Sequence, residues 1–119
     1  MKLLKSSRAA TVSAACVGAL LAMLASQPAQ AMDADVAQAL ARQNNCFKCH
    51  AVDKKKDGPS FKESAVKFKG KADAQDRIVK HLTTGEKAKF PDGHEEEHKV
   101  IKSKDVADVK NLADWILAQ

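Results

Sequence analysis

Hydrophobic residues after position 32 recur at three- and four-residue steps, which is the spacing of amphipathic helices. Four helices are predicted: residues 35–44, a helix between the cap Ser60 and the stop Gly70, residues 72–84 ending before Gly85, and a last helix from Ser103 to the C-terminus. Their packing positions are Val36, Leu40, Phe61, Ala65, Phe68, Ile78, Val79, Leu82, Val106, Val109, Leu112, Ala113 and Ile116. No strand is predicted, so the pattern indicates an all-α fold. The loop at 86–102 has 17 residues, and loops of that length are usually functional.

The first 31 residues have a different pattern. Three basic residues precede an apolar run over about 9–25, and the segment ends in Ala29-Gln30-Ala31. This order is typical of a cleaved secretory signal peptide. The run is shorter than the roughly 20 apolar residues of a membrane span, and Cys16 lies too deep in it to favour a lipoprotein. We therefore expect a signal peptide at 1–31, a single domain at 32–119 with no membrane span, and export to the periplasm.

The domain that remains has 88 residues, with four Phe, one Trp and no Tyr. Domains of this size bury little surface and often depend on a disulfide, a metal or a cofactor. A large apolar cofactor would supply the missing core. Trp115, Phe61, Phe68 and Phe90 are the aromatic residues expected to pack in the core or against that cofactor.

Removing the leader lowers the formal net charge from +5 to +2, because 17 Lys and Arg remain against 15 Asp and Glu. This balance does not favour nucleic-acid binding. The distribution is uneven, with eight Lys in 48–71 and four acidic residues in 92–97. The lysines of 48–71 are either a solvated face or a docking face for an acidic redox partner.

One motif indicates the chemistry. Cys46-Phe47-Lys48-Cys49-His50 is a C-x-x-C-H sequence, the attachment signature of c-type haem. The two thiols can bind both vinyl groups of one porphyrin, and the adjoining His50 can bind the iron as its proximal ligand. The sequence therefore predicts one covalent haem c.

Three other interpretations fit less well. A thioredoxin-like C-x-x-C requires a strand–helix setting that the helical pattern does not provide. A disulfide between Cys46 and Cys49 would add little stability. A zinc site of these cysteines with His94 and His98 would have its halves 44 residues apart, against about 12–15 in a zinc finger.

The sequence resembles the small class I cytochromes c of bacteria, of the c-551/c-552 type, over nearly all of 32–119. The resemblance is carried by Cys46–His50, the pair Gly58-Pro59, the helix that ends at Gly85, and a last helix with Trp115. It implies a fold of about four helices around the haem, with the first and last helices crossing. It also implies that the carbonyl of Pro59 accepts a hydrogen bond from His50, which would fix the orientation of the imidazole.

The sequence departs from that family at the sixth iron ligand, which is normally a Met. Its three Met are Met1 and Met23, in the leader, and Met32, at the expected mature N-terminus. The corresponding loop offers His94 and His98 instead. We prefer His98, because Val100 and Ile101 could anchor it, while His94 and an open sixth site remain alternatives. His81 is either a haem propionate partner or a surface residue.

These features predict a periplasmic single-electron carrier rather than an enzyme, because no other acid–base group is placed near the haem by the motifs. His/His ligation would lower the reduction potential, since Met/His ligation raises it. The alternative is a haem protein that senses NO or CO through a distal histidine that detaches. The expected partners are redox proteins.

Overall fold

A computed structural model describes residues 31–119, so the predicted leader, apart from Ala31, lies outside the described residues. Four α-helices form most of this part: α1 (Ala34–Gln43), α2 (Phe61–Phe68), α3 (Ala74–Thr84) and α4 (Val106–Leu117). A short 3₁₀ turn, Cys46–Lys48, follows α1, and two strands, β1 (Lys87–Lys89) and β2 (Glu95–Glu97), lie between α3 and α4. The prediction of about four helices is confirmed. No helix within 31–119 is long and apolar enough to cross a membrane.

Helix α1 packs along α4, and a hydrogen-bonded pair ties its start to that helix. Asp33 caps α1, because its side chain accepts from the backbone N–H groups of Asp35 and Val36. The N–H of Asp33 donates to Asn111 Oδ1 at 2.8 Å, and Asn111 Nδ2 donates to the carbonyl of Asp33 at 2.8 Å. Val36, predicted to pack, is 42% exposed, while Leu40 is buried.

Helix α2 begins as predicted. Ser60 and Glu63 form a capping box, in which each side chain accepts from the other residue's backbone N–H. Because this pairing satisfies two N–H groups that the helix cannot satisfy itself, it fixes the first turn. Gly70 lies just beyond the helix with a φ of 75°, as expected of a helix stop.

Helices α3 and α4 begin later than predicted. Helix α3 starts at Ala74 rather than 72. It ends at Thr84, before Gly85, whose φ of 67° favours glycine. Helix α4 starts at Val106, because Asp105 rather than Ser103 is its N-cap. Val106 is consequently in the exposed first turn, 63% exposed, instead of in the core.

The expectation of no strand was wrong. Strands β1 and β2 pair antiparallel in a small hairpin, with Lys87 opposite Glu97 and Lys89 opposite Glu95. Opposite charges across a strand pair are favourable, although neither strand has the apolar alternation that predicts a strand. The hairpin occupies much of the 17-residue loop.

The core lies where α1, α2 and α3 meet α4. Phe61 and Trp115 are each 5% exposed and make an edge-to-face contact with ring centres 5.3 Å apart. Phe47 packs edge-on against both. Phe68 lies at the margin of this cluster. Phe90, predicted to pack in the core or against the cofactor, lies outside the core, beside the hairpin and stacked on His94.

Candidate functional site

The C-x-x-C-H motif forms a tight turn directly after α1. The left-handed Asn45 (φ 58°) redirects the chain, and the N–H of His50 donates to the carbonyl of Cys46 at 3.0 Å. Both cysteines are free thiols and half-buried. Burial raises the pKa of the Cys46 thiol, so it is protonated at neutral pH and not a stabilised thiolate. The turn holds two unpaired thiols and one imidazole within five residues.

The ring of His50 is fixed on two sides. Its Nδ1 lies 2.6 Å from the carbonyl oxygen of Pro59, and its ring stacks on Phe61 with centres 5.4 Å apart and an angle of 20°. A carbonyl can only accept, so Nδ1 carries the proton and donates it. The lone pair of Nε2 is then free to bind a metal. This is the contact expected from the resemblance for Pro59.

Gly58 makes the close approach to His50 possible. A Cβ on this glycine would lie 2.4 Å from Cε1 of the His50 ring, well inside contact distance. The N–H of Gly58 also donates to the carbonyl of Cys49 at 2.8 Å, which closes the loop onto the motif. Lys56 Nζ also donates a hydrogen bond of 2.6 Å to the carbonyl of Phe47. The sequence pattern predicted a turn at Gly58-Pro59 but not the contact with the ring.

His98 faces His50, with ring centres 6.0 Å apart. Its Nδ1 is buried without a hydrogen-bond partner. Burial, together with the nearby His81 and His50, lowers the pKa of His98 to about 4. The imidazole is therefore neutral at pH 7, the form that binds metals.

The backbone around His98 is held by α3 and the segment after it. The N–H of His98 donates to the carbonyl of Glu86 at 3.0 Å, and the N–H of Ile101 donates to the carbonyl of Leu82 at 2.8 Å. Ile101 is 8% exposed, so it anchors the segment in the core. Val100, the other predicted anchor, is 44% exposed.

His94 lies at the tip of the hairpin and is held by carboxylates. Its Nδ1 contacts Asp92 Oδ1, and its Nε2 lies 3.3 Å from Glu96 Oε1. The hydrogen bond with Asp92 is the main cause that raises the pKa of His94. The side chain is 46% exposed and stacks on Phe90. Both ring nitrogens of His94 are thus occupied on the exterior, whereas His98 faces His50.

His81 lies on the far side of His98. Its ring centre is 4.2 Å from that of His98, and its Nδ1 is 3.4 Å from Glu86 Oε2. Lys80 pairs with the same carboxylate at 3.0 Å. These ion pairs lower the pKa of Glu86, with Lys80 the larger cause. The part played by Glu86 had no signal in the sequence.

The arrangement fits a haem c. Two imidazoles that bind one metal from opposite sides have ring centres about 6.2 Å apart, because each metal–nitrogen bond is about 2.0 Å and each nitrogen lies about 1.1 Å from its ring centre. The observed 6.0 Å between His50 and His98 agrees with this. A buried nitrogen without a partner is also costly unless a metal or a hydrogen bond satisfies it. Cys46 and Cys49 supply free thiols beside His50.

The fold and this motif define a protein of the cytochrome c class. Residues 34–119 match the family model Cytochrome c, and the chain belongs to that family. It therefore carries one covalently bound c-type haem and is an electron carrier, not an enzyme, as the sequence predicted. The predicted class I fold is confirmed.

Particular relatives agree with this assignment. The chain is 38% identical to cytochrome c-552 of Nitrosomonas europaea, over 81% of this chain and 85% of the relative. It is 33% identical to cytochrome c-551 of Pseudomonas aeruginosa, over 85% and 95%. Among solved structures, the class 1 cytochrome MtoD of Sideroxydans lithotrophicus ES-1 is 63% identical, with a TM-score of 0.72, over 74% of this chain and 97% of that one.

Proposed function

We propose that this chain is a periplasmic carrier of single electrons in which His50 and His98 would both bind the haem iron. Cys46 and Cys49 form the thioether bonds. When bound, the haem supplies an iron that gains and loses one electron. The observation that carries the proposal is the separation of 6.0 Å between the rings of His50 and His98, with an unpartnered buried nitrogen on His98.

On the proximal side, the chain orients the imidazole and limits its movement. The carbonyl of Pro59 accepts a hydrogen bond from Nδ1 of His50, so Nε2 remains available to bind a metal. The same hydrogen bond raises the basicity of the ring. Phe61 covers one face of the ring and is itself 5% exposed, so it shields that face from water. Because Pro59 and Phe61 fix the ring of His50 from two sides, we expect it to move little when the oxidation state changes.

On the distal side, the loss of Met supports an imidazole ligand. Met32 precedes α1, and the other two Met fall in the expected leader. His98 is neutral and faces His50, whereas His94 is held by Asp92 and Glu96. Since Met/His ligation is the arrangement that raises the potential, we expect a lower reduction potential than in Met-ligated relatives.

The way His98 is held supports a carrier over a sensor of NO or CO. A sensor requires the distal ligand to leave the iron, whereas a carrier benefits from keeping the same ligands in both states. The backbone bonds from His98 to Glu86 and from Ile101 to Leu82 oppose detachment. The acidic hairpin before His98 is exposed. The two backbone hydrogen bonds nevertheless tie the segment from His98 to Ile101 to the end of α3 and to Glu86 after it.

We also propose that the protein works in the periplasm and exchanges electrons with acidic redox partners through the lysines of 48–71. The leader pattern at 1–31 supports export, and the compartment is where bacterial c-type haem is attached. The lysines are exposed on one segment that follows the haem motif, so they can attract an acidic partner to this side of the protein.

Two matched variants test the distal ligand. In His98→Ala the oxidised iron is expected to become high spin, while His94→Ala leaves it low spin, because the His94 ring is held away by carboxylates. Electron paramagnetic resonance of the purified oxidised proteins gives the spin state. If His94→Ala alone produced the high-spin form, His94 would be the ligand.

Carbon monoxide separates the carrier from the sensor. The reduced protein is expected to bind CO slowly or not at all at neutral pH, because His98 remains on the iron. Stopped-flow mixing with CO measures this rate. Rapid stoichiometric binding with loss of the low-spin spectrum would favour the sensor.

A further inference from the structure

One stripe of α2 faces solvent with an unusual composition. Lys62 and Val66 lie four residues apart on the same side of α2, and Lys69 is the residue that directly follows the helix. All three are exposed. Val66 is 69% exposed, the largest fraction among the exposed large hydrophobic residues of the described chain. A single exposed valine is ordinary, so its surroundings decide whether it has a role.

A groove lies beside Val66, between the end of α2 and the end of α4. Its volume is about 440 Å³, and its apolar lining includes Val66, Phe68 and Leu117. Lys69 and Lys71 line the same groove. The groove is large enough for one apolar side chain of a partner, with cationic groups around it.

The lysines near the groove have no carboxylate partner in the described residues. Within 31–119, the ion pairs involve Arg77, Lys80, His81 and His94 as the cationic members. Lys67 and Lys71 instead lie over the ring of Phe68, at 5.7 and 5.4 Å. An apolar centre within a charged rim is the usual anatomy of a transient protein interface. Unpaired cations favour an acidic partner and speed its approach.

We propose that this surface, formed by Lys62, Val66, Lys69 and Lys71 with the adjoining groove, is where an acidic redox protein docks and inserts an apolar side chain. The proposal deepens the proposed function and rests on it, since the partner exchanges one electron with this cytochrome. The docked donor loses that electron and the cytochrome gains it.

The surface is also close to the proximal ligand. Phe61, the first residue of α2, stacks on His50, and Val66 is five residues further along. At 1.5 Å per residue this is about 7.5 Å along the helix axis. Lys56, in contrast, donates to the carbonyl of Phe47, so it is occupied within the haem-attachment loop. Lys62 on α2, with Lys69 and Lys71 just after it, are therefore the better candidates for docking.

The experiment uses the full haem-loaded protein and, as the probe, reduced flavodoxin, an acidic one-electron donor. Stopped-flow mixing measures the second-order rate constant for reduction at low and high ionic strength. The test variant is Lys62→Glu with Lys69→Glu. The control, Lys104→Glu with Lys110→Glu, has the same net charge but alters lysines outside the surface. Circular dichroism, the midpoint potential and reduction by dithionite report separately on the fold and on the carrier function.

We expect the test variant to react about tenfold more slowly at low ionic strength, and the control less than about threefold more slowly. A third variant, Val66→Ser, is expected to lower the second-order rate constant about fivefold at both ionic strengths, because it removes apolar area that the complex would bury. Potentials and dithionite reduction are expected to be unchanged in all variants.

Several results would overturn the docking surface while leaving the carrier function intact. Equal slowing of both double variants would mean that only net charge matters. Failure of flavodoxin to reduce a wild-type protein that dithionite reduces would exclude docking of this kind of partner. Val66-dependent binding to vesicles of phosphatidylglycerol, without an effect on flavodoxin, would assign the surface to a membrane. A wild-type dimer that dissociates in the test variant, seen by sedimentation, would assign it to self-association.

Discussion

Gly58→Ala is the substitution for which the structure gives the sharpest expectation. The new Cβ would lie 2.4 Å from Cε1 and 2.8 Å from Nδ1 of His50, whereas ordinary contact begins near 3.4 Å. The ring must therefore move by about 1 Å. A shift of that size stretches the 2.6 Å contact between His50 Nδ1 and the carbonyl of Pro59 beyond hydrogen-bonding distance.

The cost follows from those two changes. Overpacking of this kind costs about 1–3 kcal/mol and a lost hydrogen bond about 1 kcal/mol, so the free energy of unfolding falls by about 2–4 kcal/mol. For a domain of this size, the Tm would then fall by at least about 8 °C. The potential is expected to rise by about 20–60 mV, because a less basic imidazole stabilises the oxidised iron less.

Thermal unfolding of the haem-loaded protein and a potentiometric titration measure both effects. Gly70→Ala is the matched control: no atom lies within 4 Å of its added Cβ, and its φ of 75° costs about 1–2 kcal/mol without touching the site. Its potential is expected to equal that of the wild type. The reasoning is refuted if Gly58→Ala has an unchanged potential and a loss of Tm no larger than the control.

Three further outcomes are expected. Cys46→Ala with Cys49→Ala abolishes haem that resists acid-acetone extraction and leaves the domain largely unfolded by circular dichroism, because the core is thin; a folded variant that binds zinc would contradict the cytochrome assignment. Ser60→Ala lowers the free energy of unfolding in urea by about 1 kcal/mol, whereas Ser64→Ala, outside the capping box, has a smaller effect. The raised pKa of His94 means that its charged form stabilises the hairpin tip below pH 6.5 and that this contribution is lost as the pH rises through the folded pKa. The protection factors of the amides at the tip, which are corrected for the intrinsic rise of exchange with pH, are expected to fall over that range. His94→Ala is expected to abolish that fall.

The hairpin shows where a sequence pattern is insufficient. β1 reads Lys-Ala-Lys and β2 reads Glu-Glu-Glu, and neither strand has a buried face. Periodicity predicts strands only where one face is buried, so this pair carried no signal. The paired residues are up to ten positions apart in sequence and become neighbours only when the chain folds back around Gly93.

The sequence by itself determined the haem motif, the four helices and the cap of α2, because these depend on residues within a few positions of one another. It favoured His98 over His94 as the distal ligand without deciding between them, since both lie in the same loop four residues apart. The tertiary structure places them in different surroundings: the carbonyls of Leu82 and Glu86 hold the segment of His98 against α3, while carboxylates hold His94 at the hairpin tip. Which side chain faces His50 depends on contacts between elements, and such contacts leave no local pattern in the chain.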